Sequence, residues 1–221
     1  GYSLPVTGIR FPDNLRRLTL GDSFNPNVDA LILPSALQFL KFGFHCDTSL
    51  DGVSWPSGLQ ALTLGARFNR SLDAVALPSG LQTLTFGPVF NQRLDNVTLP
   101  SGLQTLSFGD NFDQSLQGVT FPDGLRTLTF GAGFNRSLEG VAFPHGLQEL
   151  TFGEYFNQSL AGTTFPSCLQ TLRLARMFDQ SLHGVTWPIG LQTLVFGDNF
   201  KQRLDDATLP SGLQRLSLGP T

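Results

Sequence analysis

Proline recurs at positions 12, 34, 56, 78, 100, 122, 144, 166, 188 and 210, always 22 residues apart and with no insertion. A fixed period in the twenties specifies a solenoid, in which each coil packs only on its neighbours and no coil can bury its apolar face alone. Each Pro opens a unit of the form P-x-G-L-Q-x-L-x-[FL]-G-x-x-F-N-x-x-L-x-x-V-x-[FLW]. Nine full units run from Pro12 to Leu209, with a half unit at 1–11 and another at 210–221. The expected organisation is therefore one continuous array over 1–221.

The segment after each Pro reads as a strand. In the fifth unit it runs Leu103, Gln104, Thr105, Leu106, Ser107, Phe108 and then Gly109. Leu106 and Phe108 lie two apart and point to one side; Thr105 and Ser107 point to the other. The recurring Gly, replaced only at Ala175, is expected where the chain turns sharply out of the strand. Seven apolar positions recur per unit, here Leu103, Leu106, Phe108, Phe112, Leu116, Val119 and Phe121. Full burial of one such side chain is worth roughly 1.5–3 kcal/mol. Ordering a single residue costs about 1–2 kcal/mol, so stacking of units is what closes the core. The return arm, Gln114 to Phe121, is a poor helix: it holds Gly118, the β-branched pair Val119–Thr120, and then Pro122. The predicted architecture is a right-handed solenoid with one parallel sheet along one face, extended or 3₁₀ returns on the other, and little or no α-helix. A thin back of this kind implies a flatter sheet than a helical back imposes.

The run L-x-x-L-x-[LF] resembles the strand motif of leucine-rich repeats. The Asn or Cys usual three residues after the last strand apolar is missing. Instead Phe and Asn follow at the fourth and fifth places, as in Phe90–Asn91, Phe134–Asn135 and Phe156–Asn157. With LPSGLQTLTFG before it, this pattern is similar to the FNIP repeat, a 22-residue relative of leucine-rich repeats, although Gln or Arg mostly follows the Asn and Ser-Leu replaces Pro-Ile. The resemblance covers essentially the whole chain. It implies a protein-interaction scaffold, sometimes attached to an F-box-type module; no F-box stretch is present in these residues.

Residue chemistry points the same way. Charged residues make up only 14% of the chain and the net charge is -3, too little to imply a nucleic-acid or membrane-surface partner. No stretch approaches the length of a membrane span, and the start of the chain lacks the pattern of a signal peptide. His45, His145 and His183 fall at three different places in the repeat, so stacking does not bring them together. No metal, cofactor or catalytic set follows from them. Cys46 and Cys168 stand six units apart, about 29 Å at the usual strand spacing, whereas a disulfide needs Cα atoms within about 7 Å. Two free thiols favour a reducing compartment, so an intracellular, cytoplasmic location is the expectation. Asn69, Asn135 and Asn157 lie in glycosylation sequons, yet the same place holds Asp47, Asp113 and Asp179, which reads as a turn-stabilising side chain. Only Asn96 is expected to be free to carry a glycan. The acidic row Asp29, Asp51, Asp73, Asp95, Glu139 and Asp205, with Arg70, Arg93, Arg136 and Arg203 nearby, reads as a solvated face with weak ion pairs.

In solenoids the outward side of the parallel sheet is the usual binding surface. Its plain central rows are Gln82, Thr83 and Thr85, then Gln104, Thr105 and Ser107, then Arg126, Thr127 and Thr129. Toward the ends the pattern changes, with Arg16, Arg17, Phe39 and Lys41 on one side and Glu149, Thr151, Arg173, Val195 and Arg215 on the other. These residues are the expected partner-binding surface of a non-enzymatic scaffold. Paired Thr rows also suggest an ice-binding or other flat-surface solenoid as an alternative, and a structural spacer is a third. The chain opens and closes in mid-repeat, with Tyr2, Val6, Ile9 and Phe11 in core places. Without polar caps, the expectation is a segment of a longer array or end-to-end association of copies.

Overall fold

A computed structural model describes residues 10–23, 31–204 and 208–219. Tyr2, Val6, Ile9, Asp29 and Asp205 lie outside the described residues. Ten short strands follow one another in chain order: β1 (Arg17–Thr19), β2 (Phe39–Lys41), β3 (Ala61–Thr63), β4 (Thr83–Thr85), β5 (Thr105–Ser107), β6 (Thr127–Thr129), β7 (Glu149–Thr151), β8 (Thr171–Arg173), β9 (Thr193–Phe196) and β10 (Arg215–Leu218). They form one sheet in the order β1 to β10, every pair parallel. Register follows the repeat, each residue pairing with the one 22 later: Thr83 with Thr105, Thr105 with Thr127. No α-helix or 3₁₀ helix occurs among the described residues. The return arms are extended.

The strands are shorter than the six-residue run the alternation suggests, because turns claim both ends. The Leu103 N–H donates to the Pro100 carbonyl at 3.1 Å, so the first Leu belongs to the turn that the Pro opens. Two further turns close each coil: the Phe112 N–H donates to the Gly109 carbonyl at 3.3 Å, and the Val119 N–H to the Leu116 carbonyl at 3.1 Å. Three turns per 22 residues make a coil with three sides. Hydrogen bonding between coils nevertheless extends beyond the strand. The Gln82 carbonyl accepts from the N–H groups of both Gln104 and Thr105, and the Phe108 N–H donates to the Thr129 carbonyl.

All seven apolar places of the fifth unit are buried, and their equivalents stack into one core running the length of the array. Phe108 and Phe112 stack at 3.9 Å within a coil. Phe90, Phe112, Phe134, Phe156 and Phe178 form a ladder of completely buried rings. At two places the structure corrects simple expectation. Val195, placed outward by its position in the strand, is buried, between Arg173 and Ser217 in register. The strand-ending glycines from Gly21 to Gly197 have no positive φ; those that do are Gly52, Gly118, Gly140, Gly162 and Gly184 in the return turn, and Gly219 after the last strand. At the strand end Gly is required by proximity. A Cβ on Gly87 or Gly109 would collide with the glycine backbone of the preceding coil.

Ring spacings record the curvature. The strand-end rings Phe86, Phe108, Phe130 and Phe152 follow one another at 5.3, 5.4 and 5.5 Å. The turn rings from Phe90 to Phe156 are 6.0–6.1 Å apart. On the back, Phe121, Phe143 and Phe165 stand 6.4 and 6.3 Å apart. Strand hydrogen bonds hold the sheet side at about 4.8 Å, while side-chain packing on the back tolerates a longer step. The sheet is therefore the inner face of a shallow arc. An excess of about 1.5 Å over a body about 10 Å thick corresponds to a rotation of about 9° per coil. Equivalent rings in these series are inclined by 3–13°, in agreement. A thin back thus makes the curvature shallow without removing it.

Candidate functional site

The concave sheet face collects most of the residues that the sequence singles out. Arg17 and Phe39 open β1 and β2, in register, with the Arg17 guanidinium 4.0 Å from the centre of the Phe39 ring. Lys41 closes β2 and is exposed. Thr83 and Thr85, Thr105 and Ser107, and Thr127 and Thr129 flank the buried Leu84, Leu106 and Leu128. Two rows of half-buried hydroxyls result. Glu149 breaks the first row, and Thr151 continues the second until Arg173. Arg16 and Arg215 are exposed, on the strands' leading edge and on β10.

Gln82, Gln104 and Arg126 stand one place before their strands, all exposed. Arg126 is turned away from the face. Its Nη1 donates to the carbonyls of Asp123 at 2.9 Å and Gly146 at 3.2 Å, which fastens it across the edge where strands begin. Its guanidinium lies where a Cβ on Gly146 would stand.

A second row, on the turn side, explains the sequons. The Asn69 Oδ1 accepts from the Asn91 N–H at 2.9 Å and from the Gln92 side-chain amide at 3.0 Å. Asn91 does the same for Asp113 and Gln114, Asn135 for Asn157 and Gln158, and Asn157 for Asp179 and Gln180. The bond joins one coil to the next, not a residue to its own turn. Where the ladder holds Asp, the next coil supplies Arg: Asp47 pairs with Arg70 at 3.0 Å and Asp113 with Arg136 at 2.8 Å. Asp179 is the exception, bound by the Lys201 N–H and by Gln202; the N–H first and the amide second hold its carboxyl below the usual range. Arg70 and Arg136 thus serve this ladder, whereas Arg93 pairs within the acidic row, with Asp95 at 2.9 Å. That bond holds the Asp95 carboxyl below its ordinary value. Asn96 is exposed.

The ladder predicts an asymmetry between two substitutions. Asn91→Ala strands the Asp113 N–H and the Gln114 amide, and is expected to cost roughly 1–3 kcal/mol in chemical denaturation. Asn91→Asp keeps an acceptor and matches the residue at 47 and 113, so it is expected to lose much less. Equal losses would show that the acceptor oxygen is not what matters.

The histidines are exposed and separate: His45 lies beside Phe44, and His145 and His183 lie in other turns. Cys46 is buried in a Phe place of the ladder, and burial pushes its thiol up; Cys168 is exposed, and both are free. Among the described residues no three His, Cys, Asp or Glu side chains come together as a metal-binding group. No helix among them is long and apolar enough to cross a membrane.

One feature of the face escaped the alternation argument. The two residues after the strand-ending Gly vary more from coil to coil than those of the sheet: Phe44–His45, Ala66–Arg67, Pro88–Val89, Asp110–Asn111, Ala132–Gly133, Glu154–Tyr155 and Arg176–Met177. They form the rim of the concave face. The backbone there is satisfied whatever the side chain, since the second residue donates its N–H to the first residue's carbonyl one coil back, as Arg67 does to Phe44 and Tyr155 to Ala132, both at 2.9 Å. Phe44, Val89, Tyr155 and Met177 are exposed on it. The signal was legible as the least regular pair of positions in the unit.

Comparison with known proteins agrees with this geometry. The protein is similar to CroV588, described as a novel circular leucine-rich-repeat protein: 36% identity, a TM-score of 0.90, and 99% of this chain covered. The chain spans only 32% of that protein's length. A leucine-rich-repeat protein from Bacteroides ovatus aligns over 92% of this chain and 75% of its own, at 10% identity and a TM-score of 0.21. No curated protein matches. The FNIP Repeat profile matches residues 5–45, 47–88, 90–133, 134–176 and 178–220, about two coils at a time. Matched over nearly its whole length, the chain belongs to the FNIP repeat family, a leucine-rich-repeat relative.

Proposed function

We propose that this chain is a non-enzymatic protein-interaction scaffold that engages a protein partner through the concave face of its parallel sheet. The observation that carries this reading is the division of labour within each strand. Backbone groups are used between coils and the alternate Leu side chains are buried, so outward side chains such as Thr105 and Thr127 can change without cost to the core. Repeat arrays present extended concave surfaces of this kind to their partners. The irregular residues Arg17, Phe39, Lys41, Glu149 and Arg173 stand in the same rows as the plain Thr positions, where they would set specificity. An ice-binding plane fits less well: the paired Thr rows stop at Glu149, and the face is curved.

The test is affinity capture from source-cell lysate with the native chain and with Thr105→Arg/Thr127→Arg. A protein held by the native chain is expected to be lost from the double variant, with melting temperature unchanged because both positions face outward. Capture that is identical for both chains removes the central face as the binding surface.

A further inference from the structure

The concave face is not uniform along its length. At its first four coils a groove of about 500 Å³ runs between the outward row of Thr19, Lys41, Thr63 and Thr85 and the rim residues Phe44, Ala66 and Pro88. A span of three strand steps gives it a length of about 14 Å, and a volume of this size lies within the range of ligand sites. Its walls are mostly apolar. The core residues Phe42, Leu64 and Phe86 are among its lining, with the strand-ending Gly43 and Gly87. Phe44 is an exposed aromatic wall.

Three cations stand at this end of the face. Lys41 lines the groove. Arg17 lies over Phe39 at 4.0 Å in the neighbouring outward row, and Arg67, next to the lining residue Ala66, has its guanidinium 5.8 Å from the centre of the Phe44 ring. None of Arg17, Lys41 and Arg67 forms an ion pair among the described residues. Asp22 lines the groove too, and its Oδ1 accepts the Phe44 N–H at 3.2 Å. In a chain of net charge -3, Lys41, Arg17 and Arg67 outnumber this one carboxylate at this end of the face.

Resting on the reading of the concave face as a partner surface, we propose that this groove holds an extended acidic segment of the partner. One large apolar side chain of that segment seats between Phe44 and Pro88, and its carboxylates meet Lys41, Arg17 and Arg67. Guanidinium–carboxylate pairs supply the geometric specificity, and the apolar anchor supplies most of the affinity. A nucleic-acid strand fits less well, because its bases need a row of aromatic platforms and Phe44 is the one ring exposed at this groove among the described residues.

The test selects from a random peptide library displayed on phage with the native chain, then measures the best peptide, fluorescently labelled, by anisotropy. Expected is enrichment of Asp and Glu around a single large apolar residue. Affinity should fall tenfold or more in Lys41→Glu and in Phe44→Ser, and stay unchanged in His183→Glu, an exposed return-turn position off the face whose equivalent in an earlier coil is Glu139. Each variant is checked for an unchanged melting temperature. The proposal is overturned by a neutral or basic consensus, by no enrichment, by an acidic peptide indifferent to Lys41→Glu and Phe44→Ser, or by a labelled oligouridine that binds in place of peptides with the same dependence on Lys41. If Thr105→Arg/Thr127→Arg abolishes partner capture while selection yields no acidic peptide, the concave-face reading stands and this groove assignment falls. If acidic peptides bind as expected while partner capture ignores the central face, the groove stands and the central surface falls.

Discussion

Phe112→Ala is expected to lower the unfolding free energy by about 3–5 kcal/mol, the range for removing a large ring from a closed core. Phe112 is completely buried. It stacks on Phe108 at 3.9 Å within its coil and stands between Phe90 and Phe134, both at 6.1 Å. Those neighbours are held by the strand register, so the coils cannot collapse into the space without breaking hydrogen bonds to both sides. In a linear array the loss also weakens two interfaces at once, since each coil is stabilised only by its neighbours. Chemical denaturation followed by circular dichroism measures it. An unchanged midpoint would place that ring outside the core. Cys46 marks how the same place tolerates a smaller side chain near one end of the array, where it is buried with its Sγ 3.7 Å from the Thr48 hydroxyl.

Gly109→Ala is expected to destabilise by about 1–3 kcal/mol, the range for overpacking, although it adds a single methyl group. The backbone conformation at Gly109 is one that alanine adopts freely, so intrinsic strain predicts little effect. The cost comes from the neighbouring coil: the new Cβ would meet the Gly87 carbonyl and the Pro88 Cα, both backbone atoms that cannot swing aside. By contrast, Gly21→Ala adds a Cβ that meets nothing among the described residues and serves as the control. Equal melting temperatures for Gly109→Ala and the native chain would show that the coils are not in close contact at this edge. Ala175 shows that the array can take one such Cβ: it is buried, and its carbonyl lies against the Gly197 position of the next coil.

Much of the molecule was legible before any coordinates. Leu106 and Phe108 against Thr105 and Ser107 announce which side of the strand faces the core, because alternation on a strand leaves no other assignment. The Pro period announces the register, because identical units stack best on themselves. The Asn–Asp position was readable as a hydrogen-bonding place. Its partner was not readable: a side chain that caps its own turn and one that reaches the next coil have the same sequence signature. Arg126 looked like a face residue for a similar reason, since position in the unit does not say that Gly146 leaves space for a guanidinium on the edge. Val195 looked outward by parity alone.

What the sequence by itself determined is local and periodic: the 22-residue coil, the turns at its Pro and its strand-ending Gly, the parallel sheet and the identity of the seven core ladders. These depend on chain stereochemistry and on which side chains avoid water, and both repeat with the unit. What only the tertiary structure decided are the quantities set between coils. They are the longer step on the back than on the sheet, which makes the face concave; the backbone contact that demands Gly87 and Gly109; and the meeting of Lys41 with Phe44 and Pro88 across successive coils. None of these is a property of one unit, because each arises from distances between atoms 22 or more residues apart, and packing sets those distances.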